Sequence, residues 1–276
     1  MSHPLDALMN PQSVAVIGAS RRVGAVGHYV IANCLQGGFS GRIYGINPGY
    51  SDVEGVPCFD NLASLPETVE HVVFAVSDER LEAALDDAIA HGIRSCTIFS
   101  SLILSEDSTP NLRERITGKL QSAGILACGG NGMGYYNFAA GLWASGFDTR
   151  DHGKQGNISL ISQSGAGMCG ILDCDERLRF NYAISSGQEL TVSMEDYLDY
   201  LLDQPETRVV GIFMETSRHP DKLIVALQKA QAKRIPIVVV KVGRTALAAE
   251  MAISHSGALA GSDQCYSALF DQYGVQ

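Results

Sequence analysis

Ser254-His255-Ser256-Gly257-Ala258-Leu259-Ala260-Gly261 sets one imidazole in a segment built almost wholly from Ser, Gly and Ala. A histidine that only packs a core sits among larger apolar neighbours. Here the flanks offer hydroxyls, backbone N–H groups and room for a phosphate to approach. Two further segments have matching chemistry. Ser162-Gln163-Ser164-Gly165-Ala166-Gly167 ends one strand pattern and opens a helix, and Ser185-Ser186-Gly187 ends the next strand. Free N–H groups at such strand ends and helix starts stabilise an anion, so Ser164, Gly165, Ser186 and Gly187 together suit a phosphoryl group. Taken alone, the S-x-S-G pattern is most often an ordinary helix cap. Glu215 closes the apolar run Val209-Val210-Gly211-Ile212-Phe213-Met214, where a carboxylate would point into the same crevice. A carboxylate bonded to one imidazole nitrogen fixes the tautomer, stabilises the imidazolium and leaves the other nitrogen as nucleophile. The plainer reading is a surface or capping glutamate.

Nearer the start, Gly18-Ala19-Ser20-Arg21-Arg22-Val23-Gly24-Ala25-Val26-Gly27 follows a strand and opens a helix, so its backbone N–H groups can cradle a diphosphate. The spacing is not G-x-G-x-x-G, and residues 38 to 47 hold no Asp or Glu to take a ribose hydroxyl, which disfavours NAD. The second strand ends instead in Asn47-Pro48. Arg21 and Arg22 add positive charge beside the loop, which suits a nucleotide carrying extra phosphate.

The elements that would position these loops alternate. Strand-like runs fall at Ser13 to Gly18, Ile43 to Asn47, His71 to Val76, Ser95 to Phe99 and Gly124 to Cys128, with helical patterns between them; the clearest helix is Glu79 to His91. Such alternation makes a doubly wound parallel sheet. A Gly-rich, aromatic stretch from Gly129 to Gly153 interrupts it. A second series follows at Asn157 to Ser162, Phe180 to Ser185, Arg208 to Glu215 and Ile235 to Val242, and a last helix pattern runs from Ser262 to a stop at Gly274. The expected fold is therefore α/β, with a Rossmann-like domain over residues 1–129 and a flavodoxin-like parallel-sheet domain over residues 130–276.

Composition narrows the partners. At 276 residues and 46% hydrophobic, the chain can build two ordinary cores. A formal net charge of −10 argues against nucleic acid or an anionic membrane as partner, so any polyanionic ligand must be held locally by helix ends and a few cations. No apolar run is long enough to span a membrane and no signal peptide is readable, so a soluble, cytoplasmic protein is expected. Seven cysteines, an odd number without a C-x-x-C pair, read as reduced core thiols. The other histidines have no metal-ligand spacing with His or Cys, so no metal site is expected. Ser164 lacks the G-x-S-x-G elbow of a serine hydrolase.

The order SVAVIGAS, GINP, GGNGMG, ISQSG, SSGQE, IFMET and SHSGALAG, running from residue 13 to residue 261, resembles the NDP-forming acyl-CoA synthetases, a superfamily that includes succinyl-CoA synthetase and ADP-forming acetate-CoA ligase. The resemblance implies that His255 is phosphorylated by ATP, that Glu215 orients it, and that coenzyme A is held by Gly18, Ser20, Arg22, Gly24 and the Asn47-Pro48 corner, with Ala75, Val76 and Ser77 lining the adenine. It implies that Asn131 borders the phosphate and acyl site. ATP/ADP and Mg²⁺ would belong to an ATP-grasp subunit or further domain, for which this chain shows no candidate. The family pattern continues past Gln276, so the chain is expected to be a fragment or an α-type subunit, working in an oligomer and unable to complete the cycle alone. Relatives commonly have G-P-N-C-x-G and S-x-G-N-E-A where this chain has Gly129 to Gly134 and Ser185 to Leu190, which leaves the carboxylic acid open. Tyr135, Tyr136, Phe138 and Trp143 could line a pocket for a larger acid or could be core. The rival functions are a catalytically silent CoA-binding module and an NAD-dependent oxidoreductase.

Overall fold

The computed structural model describes residues 3–153, 155–243 and 263–276. After a short helix α1 (Asp6–Met9), the first sheet is built from β1 (Ser13–Ile17), β2 (Arg42–Ile46), β3 (Asp52–Val53), β4 (Val56–Phe59), β5 (His71–Phe74), β6 (Ser95–Ile98) and β7 (Leu126–Gly129) in the order β3-β4-β2-β1-β5-β6-β7. Its central strands are buried on both faces, which is why SVAVI and HVVF read as near-continuous apolar runs rather than alternating ones. Helices α2 (Val26–Gly37), α3 (Asp78–His91) and α4 (Leu112–Ala123) each stop at a left-handed glycine, Gly38, Gly92 and Gly124, where a Cβ would be strained. Pairing runs β2-β1 on one side and β1-β5 on the other, so the strand order reverses between β1 and β5. That switch point opens a crevice at their carboxyl ends.

The second sheet takes β8 (Gly134–Asn137), β9 (Leu142–Ser145), β10 (Ile158–Ser162), β11 (Phe180–Ser185), β12 (Val209–Met214) and β13 (Ile237–Lys241) in the order β13-β12-β10-β11-β8-β9. Helices α5 (Gly165–Asp173), α6 (Met194–Leu202) and α7 (Pro220–Lys233) connect its parallel strands. Strand order reverses again, now between β10 and β12, so the ends of those two strands share the second crevice. A last helix, α8 (Asp263–Tyr273), precedes Val275 and Gln276; the Gln276 N–H donates to the Ile237 carbonyl, and its own carbonyl accepts from Val239 N–H, along the β13 edge.

The second sheet is the expected flavodoxin-like parallel sheet, extended by one element that the sequence did not resolve. The stretch read as an interruption folds as the β8-β9 hairpin, which pairs antiparallel to β11. It also joins the two sheets. Asn33 of α2 donates to the Ser145 and Phe147 carbonyls at 2.9 and 2.6 Å, Tyr135 donates to the Leu8 carbonyl at 2.6 Å, and Asn137 to the Met9 carbonyl at 2.9 Å. Tyr135, Tyr136 and Trp143 are buried and form core at this junction, and none of them is among the residues lining the first crevice. Tyr136, Phe138 and Trp143 surround His152, which is buried. All seven cysteines are free, but Cys174 and Cys265 are exposed and outside any core. Among the described residues, no helix is long and apolar enough to cross a membrane.

Candidate functional site

The crevice between β1 and β5 is a cavity of about 490 Å³. Gly18, Ser20, Arg22, Gly24, Asn47, Ala75, Val76 and Ser77 line it, so the sequence brings together every expected nucleotide residue except Pro48. Two glycines have packing reasons. A Cβ at Gly18, whose φ is +89°, would overlap the Ala75 carbonyl, and one at Gly27 would overlap the Gly18 carbonyl, so only hydrogen at these positions lets α2 start so close to the ends of β1 and β5. Ala25 caps α2 without a side-chain hydrogen bond, and the His28 N–H turns back to the Ala25 carbonyl, so the Val26 and Gly27 amides are those placed to meet a ligand. Asn47 shapes the wall by donating to the Ala19 carbonyl at 2.8 Å and accepting from Gly49 N–H at 2.9 Å.

The charge at this crevice differs from the expected pair of arginines. Arg21 turns away: its guanidinium pairs with Asp52 at 2.6 Å and lies over the Tyr50 ring. Arg22 stays at the cavity and is joined by Arg80 from the first turn of α3, and neither has an ion-pair partner among the described residues. No Asp or Glu is among the lining residues, which suits a polyanion and leaves nothing to grip an NAD ribose. Arg80, Phe99 and Ser100 escaped sequence reading, because only the fold carries α3 and the β6 end to this point.

At the second crevice β10 ends at Ser162, which is paired with Phe213 on one side and Ser185 on the other. Gln163 then ties three loops together. Its carbonyl oxygen accepts from the N–H groups of Glu215 and Thr216 at 2.7 and 2.9 Å, and its amide donates to the Thr216 carbonyl at 2.8 Å and to Glu189 at 3.0 Å. Glu189 is itself buried and accepts from Ser186 Oγ, from the Met194 N–H and from Arg218 Nε, the last at 2.9 Å. Burial pushes its carboxyl up to about 7, against the opposing pull of Gln163, Ser186 and Arg218. Gln163, Glu189 and Arg218 form the frame of this site, and no local sequence signal separates them from surface polar residues.

Ser164 caps α5, accepting from Gly167 N–H at 3.2 Å, and α5 starts just after the end of β10, which pairs with β12, the strand that leads to Glu215. Glu215 is buried at the end of β12. Ser186 supports this wall from within: its N–H donates to the Ser162 carbonyl at 2.9 Å and its hydroxyl to Glu189 at 2.8 Å. Gly187 has a φ of +60°, and a Cβ there would overlap the Gly130 carbonyl. Asn131 is exposed, and its N–H donates to the Ser100 carbonyl at 2.8 Å. Ser100 also donates from its hydroxyl to the Val76 carbonyl at 3.0 Å, so one residue of the first cavity's wall is bonded to the loop that borders the second crevice. His255 lies outside the described residues. Among the described residues His3, Asp199 and Asp203 lie close enough to share an ion, but Lys229 already pairs with both aspartates.

Comparisons with known proteins agree with this arrangement. A family model for a CoA binding domain matches residues 12–137, and one for a succinyl-CoA ligase like flavodoxin domain matches residues 155–276. The ADP-forming acetate–CoA ligase of Methanocaldococcus jannaschii is 30% identical over 275 residues, covering 99% of this chain and 38% of the relative. The α subunit of ADP-forming acetate–CoA ligase I of Pyrococcus furiosus is 31% identical over 279 residues, covering 98% of this chain and 60% of that subunit. The solved acetyl-coenzyme A synthetase 1 of Ca. Korarchaeum cryptofilum, in complex with phosphate and ADP, superposes with a TM-score of 0.87 at 29% identity, covering 98% of this chain and 58% of that one. The chain thus spans less than two thirds of the length of each of these relatives. It belongs to the NDP-forming acyl-CoA synthetase superfamily and comprises a CoA-binding domain followed by a flavodoxin-like domain.

Proposed function

We propose that this chain is the CoA-binding, phosphohistidine-bearing part of an acyl-CoA synthetase that converts a carboxylate, CoA and ATP into acyl-CoA, ADP and phosphate. The observation that carries the reading is the pairing of two switch-point crevices through Ser100: a cation-bearing cavity without a lining acid at the first, and Glu215 and the α5 start at the ends of the paired strands β12 and β10 at the second. The boundary between the domains falls at residues 129 and 130. His255 takes the phosphoryl group from ATP and passes it to the carboxylate. The CoA thiol then displaces phosphate from the acyl phosphate.

In this scheme the first-turn amides of α5 neutralise the phosphoryl oxygens, and Glu215 holds the imidazole tautomer and offsets the charge that develops on it. Asn131 and Gly187 border the acyl group. Gln163 and Glu189 keep the three loops in register. ATP and Mg²⁺ are assigned to an ATP-grasp partner or domain, and the free thiols fit a reducing, cytoplasmic setting.

The test is mass spectrometry of the chain after incubation with ATP, Mg²⁺ and a matching ATP-grasp partner. Phosphate on His255, lost in His255→Ala with CoA binding retained, supports the reading. An unphosphorylated chain that still binds CoA would make it a silent module, and retention of NAD would make it an oxidoreductase.

A further inference from the structure

We propose that Arg80 reads the 3′-phosphate on the ribose of CoA and so makes this pocket prefer CoA to its 3′-dephosphorylated form. The inference rests on the CoA reading above and deepens it. CoA carries phosphate at two separate places, the diphosphate and the ribose 3′-position. The cavity has two cations, Arg22 and Arg80, on different walls.

Arg22 stands on the glycine loop between β1 and α2, close in sequence to Val26 and Gly27, the first two residues of α2, which also line the cavity. Amides and a cation at a helix start match a diphosphate. Arg80 stands on the other wall, in the first turn of α3. Ser77 caps that helix and, with Ala75 and Val76, forms the surface assigned to the nucleoside. Three residues separate Ser77 from Arg80, close to one helical turn, so a ribose lying over Ser77 has the guanidinium beside it. A planar guanidinium can grip a terminal phosphate through two parallel N–H bonds.

Arg80 is also held in reserve. Several arginines make no ion pair among the described residues, but of these only Arg22 and Arg80 line the cavity, and Arg80 is exposed there. The neighbouring Glu79 bonds chiefly to Ser77 and attracts Arg80 only weakly. Arg22 and Arg80 are the two cations lining this cavity, and no carboxylate is among its lining residues, so the pocket itself favours an anion.

Calorimetric titration of the wild-type chain, Arg80→Gln, Arg80→Lys and Arg22→Gln with CoA and with 3′-dephospho-CoA tests this directly. The wild type should prefer CoA by on the order of 10-fold to 100-fold, the range of a charge-assisted phosphate contact. Arg80→Gln should erase that preference by weakening CoA alone, Arg80→Lys should keep part of it, and Arg22→Gln should weaken both ligands alike. Circular dichroism of each variant shows whether the fold persists, which the exposure of Arg80 predicts. Equal weakening of both ligands by Arg80→Gln, no weakening of either, or a wild type indifferent to the 3′-phosphate would each overturn the assignment. A wild type that binds neither ligand would overturn the CoA reading and this inference with it.

Discussion

Acidification from pH 7 to 5 is expected to destabilise the protein, and Glu189→Gln should make that loss about twice as steep. Three buried groups decide the balance. His71 is sealed between Ser95 Oγ at 2.9 Å and Thr97 Oγ1 at 3.0 Å, and burial pushes it down to about 3. His152, inside its aromatic ring, is pushed down to about 4, again chiefly by burial. Each is neutral in the folded protein while the unfolded chain takes a proton near pH 6.5, so stability falls with pH below that value. At about 1.4 kcal/mol per pH unit, each histidine removes about 2 kcal/mol between pH 7 and 5.

Glu189 acts in the opposite sense. Its folded value is raised to about 7 from an ordinary 4.5, so over the same interval the folded state takes up a proton that the unfolded state does not. That uptake adds about 2 kcal/mol on acidification and offsets one histidine. The wild type should therefore lose about 2 kcal/mol, and the Gln variant, which keeps the shape but has no proton to gain, about 4 kcal/mol. Urea unfolding at pH 7, 6 and 5, followed by the fluorescence of the single Trp143 beside His152, measures both. A variant whose midpoint falls no faster than that of the wild type would refute the account of Glu189. A flat wild-type profile would refute the account of the histidines.

Gly27→Ala should abolish CoA binding and cost about 1–3 kcal/mol, because its methyl group would overlap the Gly18 carbonyl; calorimetry and thermal melts read the two effects. Ser164→Ala removes the cap of α5 and should cost about 1 kcal/mol, with phosphoryl transfer slowed as the helix start loosens; a stable variant with wild-type transfer would remove Ser164 from the scheme. Glu215→Gln should slow phosphorylation of His255 by about 10²-fold or more while CoA affinity stays within error, measured as initial label incorporation. Gln163→Ala leaves the buried Glu215 and Thr216 N–H groups without their acceptor and should cost about 1–3 kcal/mol in urea unfolding.

Periodicity and punctuation made the order of elements legible without coordinates. A parallel strand covered on both faces must be apolar throughout, and a helix that ends in a left-handed residue favours glycine, so SVAVI, HVVF and the stops at Gly38, Gly92 and Gly124 carry their structure locally. The glycine loop from Gly18 to Gly27 was legible for the same reason: close backbone approach tolerates no Cβ, and the chain itself shows where the Cβ atoms are missing. Hairpin β8-β9 was not, because its pairing depends on an unpaired edge of β11 that lies more than 40 residues further on. Arg21 and Arg22 look alike in the sequence, and only Asp52 and Tyr50, brought in by the β3-β4 turn, decide which of them faces the cavity. The frame of Gln163, Glu189 and Arg218 belongs to tertiary structure as well. A carboxylate costs free energy to bury unless donors from several chain segments converge on it, and that convergence exists only once β10, β11 and β12 lie side by side.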